Sequence, residues 1–201
     1  VKDMIDFGIE DAVIDVFEPP APSRRHQQRS MYAIAARREA VQRAVDVLSP
    51  VAKGFDVIDI PELCLRNLAA LLPEDEAGIA LLFQRGTTAE LILTRAGKLY
   101  LSRHIDLSRH MGLALDESPA DPATLSLELQ RSLDYYESNF DQPPISNLYV
   151  VPCDAKSAAL ASGLARESSL RVGVVDLNEL LECAAPLDTE LQARCLLAVG
   201  A

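Results

Sequence analysis

Residues 81–105, LLFQRGTTAELILTRAGKLYLSRHI, constrain the fold more than any other stretch of the chain. Runs rich in Leu, Ile, Thr and Tyr are separated by Gly-Thr-Thr and by Ala-Gly, and separators this short leave room only for tight turns. With GIALLF just ahead, strands are expected over 79–83, 89–94 and 99–105, a three-stranded meander. The segment ATLSLELQRSLDYYESNF that follows places Leu125, Leu129, Leu133, Tyr136 and Phe140 on one stripe of a long helix, whose apolar face must pack on the sheet.

Beyond Pro143-Pro144, ISNLYVV reads as a buried strand and 155–166 as an alanine-rich helix capped by Asp154. LRVGVVDL and two short helical segments close the chain, so the second part reads β-β-β-α-β-α-β-α. Upstream the pattern differs. EDAVIDVFE reads as a strand stopped by Pro19-Pro20, MYAIAA as a second strand, and the following segment carries Val41, Ala44, Val45 and Leu48 at helical spacing. FDVIDI, residues 55–60, reads as another strand, and Pro61 sits at the first position of a helix ending at Leu72. The acidic PEDEAG, 73–78, marks a boundary, giving a small α/β unit over 1–76 and a larger one over 77–201. The opening VKDMIDFG reads as the end of a helix in a fragment of a longer protein.

Composition limits the partners. The 201 residues are 49% hydrophobic, enough for real cores, and 30 acidic against 19 basic side chains leave a net charge of -11, which repels a phosphodiester backbone and argues against nucleic acid. The run SRRHQQRS, 23–30, with Arg37, Arg38 and Arg43, concentrates positive charge either as a solvated loop and helix face or as a contact for acidic headgroups or an acidic partner. No apolar run is long enough to span a bilayer, so membrane contact in this segment is expected to be peripheral. Cys64, Cys153, Cys183 and Cys195 form no C-x-x-C pair and sit in apolar surroundings that read as core, which suits a reducing compartment.

Candidate chemistry is sparse. Gly86-Thr87-Thr88 is either a phosphate-holding turn or a plain hairpin turn in which glycine supplies a positive φ. Cys153, at a strand-to-helix junction, has no histidine placed by sequence to activate it and reads as structural. His104, His110 and Asp106 have the wrong spacing for a metal on one helix face or strand pair. Glu128 with Glu137, and Asp176 with Glu179, read as solvated rather than as acid/base pairs. No nucleophile elbow, P-loop or dinucleotide fingerprint is present, and no enzyme is expected.

LSLELQRSLDYYESNF resembles the helix after the meander in the PilM family of type IV pilus assembly proteins. MIDFGIEDAVIDVF is similar to that family's lead-in to a small inserted subdomain, and YAIAARREAVQRAVDVL with FDVIDIPELCLRNL to the subdomain itself. Within the family the similarity is to the branch serving mannose-sensitive haemagglutinin (MSHA) pili, MshI. The resemblance implies an α/β, actin-like (ribonuclease-H-like) lobe, preceded by a small inserted α/β subdomain of the PilM and FtsA kind, with the first actin-like lobe upstream of Val1.

In such proteins the second phosphate loop follows D-x-G-x-x-T. Gly86 and Thr88 fit it approximately, with Thr87 between them, but Gln84 stands where the acid belongs, and a neutral amide lacks the charge that draws magnesium. The glycine pair expected on the adenine side is replaced by Pro152, Cys153 and Asp154. The resemblance therefore implies a vestigial nucleotide site and no resident cofactor, ATP with magnesium binding only where the site is intact in the full-length protein. It further implies a cytoplasmic scaffold, peripheral to a bacterial inner membrane. Its partners would be the cytoplasmic tail of a single-pass protein resembling PilN and other proteins of the pilus assembly platform. The alternatives are an actin-like ATPase whose nucleotide state switches assembly and a secretion-platform domain of similar fold.

Overall fold

A computed structural model describes residues 5–23, 31–52, 54–107 and 121–201. Strands β3 (Ile79–Arg85), β4 (Thr88–Arg95) and β5 (Lys98–Asp106) form the expected meander, each pair antiparallel. Strand β6 (Asn147–Val151) lies parallel to β3 on its other side, and β7 (Arg171–Val174) lies parallel to β6, giving the order β5-β4-β3-β6-β7.

The sheet is covered on both faces, which is why its central strands are apolar at consecutive positions rather than at alternate ones. Ala80 and Leu82 point into one core with Leu91, Leu93, Leu148 and Val150. That core is closed by α3 (Pro122–Phe140) and α4 (Ala155–Glu167), and all five stripe residues of α3 are buried in it. Ile79 and Leu81 point the other way, into a core with Ile92, Leu99 and Val151. Leu65 and Leu68 of α2 (Pro61–Ala69) and Leu196 of α6 (Thr189–Gly200) close that side. Between β7 and α6 runs one turn of helix, α5 (Leu177–Leu180).

A two-stranded antiparallel sheet of β1 (Ala12–Phe17) and β2 (Tyr32–Arg37), followed by α1 (Arg38–Leu48), makes up the small unit. Phe17 stacks on Tyr32 at 4.9 Å between ring centroids, and Ser23 donates its backbone N–H to Asn139 O of α3 at 2.7 Å.

Several expectations need correction. Residues 55–60 form no strand: Val57 and Ile58 stay exposed, and the Asp59 carboxylate takes the Ile60 N–H, at 2.9 Å, that a ladder would need. Helix α2, placed by sequence on the near side of a boundary at 76, shares its core with β3, β4 and α6. Cys183 is exposed and Cys153 and Cys195 are half-buried; only Cys64 lies in the core. Residues 5–8 are not helical. The start of the expected opening helix (1–4), most of the basic run (24–30, with His26) and the loop 108–120, with His110, lie outside the described residues.

Candidate functional site

Because β3, β6 and β7 run parallel, their carboxyl ends share one edge of the lobe, the place where open α/β sheets bind ligands. The register sets Phe83 beside Val151, so the Gly86-Thr87 turn that follows β3 and the Pro152-Cys153-Asp154 junction that follows β6 project from the same end. Topology thus assembles both halves of the expected nucleotide site.

The residues there are engaged in holding the fold. Arg85 pairs with Thr88 across a two-residue turn whose Gly86 has φ +59°. Only the first turn residue is left-handed, the pattern of a hairpin turn with glycine in the lead position. The Thr88 hydroxyl donates to Arg85 O at 3.0 Å within the hairpin, and Thr87 O accepts the Leu107 N–H at 2.9 Å, which ties the turn to the residue after β5. Gln84, half-buried, pairs with Ala89.

At the β6 junction, Asp154 caps α4 by accepting the Ser157 N–H at 2.7 Å. Asp176, beyond β7, accepts from the Asn178 amide at 2.9 Å and from the buried Gln192 Nε2 at 2.8 Å, and these donors hold its carboxyl below the usual range. Gln192 in turn accepts the Leu177 N–H at 2.9 Å. Burial, and then the carboxylates of Asp176, Asp154 and Glu179, push the Cys153 thiol up, the opposite of what a nucleophile needs. Asp154, Asp176 and Glu179 thus gather around Cys153 beyond β6 and β7, while exposed Arg85 ends β3 at the same edge of the sheet. Among the described residues, no group of three or more His, Cys, Asp and Glu is arranged to hold a metal.

The other sequence candidates are accounted for by their neighbours. Glu128 lies between Arg103 at 3.0 Å and Arg131 at 2.6 Å, while Glu137 is exposed, so the two carboxylates do not act as a pair. His104 Nδ1 sits 3.2 Å from Glu90, on the exposed side of β5.

One feature had no sequence signal. A groove of about 310 Å³ opens between the small unit and the lobe, walled by Pro19, Pro22, Tyr32, Tyr100, Tyr135 and Phe140. Burial raises the Tyr32 phenol, and a hydrogen bond between its oxygen and the Ser102 backbone opposes the shift. The groove draws on four separate segments, so no local pattern announces it.

No protein-family model matches the chain, and no curated protein matches it by sequence. Solved structures do match. The chain resembles one from a PilM-PilN type IV pilus biogenesis complex with a TM-score of 0.64 and 23% identity, over 99% of this chain and 68% of that one. It also resembles a Bacteroides thetaiotaomicron protein with an actin-like ATPase fold and unknown function, with a TM-score of 0.51 and 11% identity, over 98% of this chain and 62% of that one. The fold is that of actin-like ATPases.

Proposed function

We propose, starting from the actin-like fold, that the chain is part of a scaffold that works by holding partners rather than by hydrolysing nucleotide. The observation that carries this reading is the likeness to the PilM-PilN complex over 99% of the chain, combined with a β3–β4 turn in which the Thr88 hydroxyl is bonded to Arg85 O and Gln84 stands in place of an acid. The machine is the inner-membrane assembly platform of a type IV pilus, of the MSHA type served by the MshI branch. The scaffold sits on the cytoplasmic face and engages the cytoplasmic tail of a PilN-like single-pass protein together with other platform proteins. No helix among the described residues is long and apolar enough to cross a membrane, in keeping with peripheral attachment.

A second reading follows from the fold itself: an actin-like ATPase whose ATP and magnesium state switches assembly. In favour of it, Gly86 faces open space, which leaves room for a phosphate at Gln84, Gly86, Thr87 and Thr88.

Calorimetric titration of Mg-ATP into the full-length protein separates the two. The scaffold reading expects no heat at millimolar ATP, with binding of a synthetic PilN-like cytoplasmic tail retained. Micromolar ATP binding that is lost in a Gly86→Asp variant would establish the switch instead.

A further inference from the structure

Strand β5 stands at the end of the strand order, so among the described residues one side of it has no strand beside it. At nine residues it is the longest of the described strands. Such an edge presents a row of backbone N–H and C=O groups to which another chain pairs unless something guards it. Lys98 stands at one end of β5 and Arg103, His104 and Asp106 toward the other, whereas Leu99, Tyr100, Leu101 and Ser102 between them carry no charge.

The small unit lies against that uncharged stretch. Leu107 donates its N–H to Thr87 O, and alternation along an antiparallel pair then turns the Ile105 and Arg103 N–H groups toward β4 and the Ser102 N–H toward the free side. The Tyr32 oxygen takes that outward group, because its bond to the Ser102 backbone favours the phenolate, as only a donated N–H does. Pro19, Pro20 and Pro22 wall the same groove as Tyr100 and Leu101, and the Ser23 N–H fixes the end of this strap to Asn139 O. Proline has no N–H to donate, so the strap stands beside the edge without becoming a further strand. The cover is lightly held: within β1, β2 and α1 only Ala12 is buried.

We propose that the small unit is a releasable guard of the β5 edge, Tyr32 occupying the Ser102 N–H and the proline strap walling off Tyr100 and Leu101, and that β5 pairs with β5 of a second copy once the guard is displaced. Two such edges are complementary. Centred on Ser102, an antiparallel pairing sets Ser102 against its counterpart, Leu99 against Ile105 and Lys98 against Asp106, with the same contacts repeated on both sides of the two-fold axis. The inference rests on strand order and register and is independent of the pilus reading.

Hydrogen exchange in the full-length protein reads the guard directly. In Tyr32→Phe, which keeps the ring that stacks on Phe17, the Ser102 amide should exchange about tenfold faster, while the Arg103 amide, turned into the ladder with β4, is unchanged. Tyr32→Ser, which removes the ring as well, should self-associate in sedimentation velocity, its coefficient rising with concentration more steeply than that of the wild type. Adding Ser102→Pro should abolish that rise, since proline is tolerated where a strand's N–H faces outward and offers no donor to a second copy.

Four results would overturn the proposal: a Ser102 amide that Tyr32→Phe leaves unchanged, Ser102 and Arg103 amides that quicken together, a Tyr32→Ser variant that sediments as the wild type does, or self-association that Ser102→Pro leaves in place. A lobe unfolded by Ser102→Pro would put that N–H inside the ladder and would equally overturn it.

Discussion

Asp75 is 3% exposed and sits in the acidic turn ahead of β3. Its Oδ1 accepts the Thr94 hydroxyl at 2.6 Å and its Oδ2 the Gly97 N–H at 2.6 Å, while its carbonyl takes the Ala96 N–H at 2.8 Å. One residue therefore holds the β4–β5 turn, where Ala96 and Gly97 both adopt positive φ. Asp75→Ala strands a buried hydroxyl and an amide and should cost about 3 kcal/mol in urea unfolding. Asp75→Asn keeps one acceptor and should cost less. Equal losses would mean that the carboxylate's two-sided grip is unimportant.

For the elements, the long helix is the clearest case. Leu129→Asp places a carboxylate without a partner in the core shared with β3 and β4, a cost of several kcal/mol against a stability of about 5–15, so the lobe should unfold. A melting curve like that of the wild type would show that α3 does not seal that face. Helices α2 and α6 meet more closely still. A Cβ added at Gly200 would lie 2.1 Å from Cys64 O, and Asn67 Nδ2 donates to Gly200 O at 2.6 Å. Gly200→Ala should therefore force the helices apart and cost about 1–3 kcal/mol, read as a lowered melting temperature.

The α3 stripe and the meander were legible in the sequence because their signals are periodic and local: Leu125, Leu129, Leu133, Tyr136 and Phe140 point one way whatever lies opposite. The allegiance of α2 was not legible, since the core it joins is completed by β4 and by α6, whose Gly200 O accepts from Asn67 across 133 positions of sequence. Residues 55–60 misled because Val57 and Ile58 look like a strand, whereas strand formation depends on a neighbour to pair with. At the candidate site, the turn at Gly86 was legible as a turn, but the bonding of Thr88 to Arg85 and the capping role of Asp176 depend on backbone geometry that residue spacing does not encode.

Across the whole molecule, Glu128 joins α3 to β5 through Arg103. Burial opposes its ionisation, but the hydrogen bonds from Arg103 and Arg131 prevail and set the carboxyl below its ordinary 4.5. A depressed folded-state pKa contributes stability that is fully present above the unfolded value and is lost as pH falls through the folded one. Glu128→Gln should therefore be less stable than wild type near neutrality, and the gap should close as the pH drops below about 4.5. A gap that stays constant across an acid titration would remove the ion pairs from the account.

The packing of α6 on α2 also sets the order in which the lobe can be finished. During synthesis, the face of the sheet that α2 begins to cover stays open to solvent until residues 189–200 have emerged, so that face closes more than a hundred residues after α2 itself has been made.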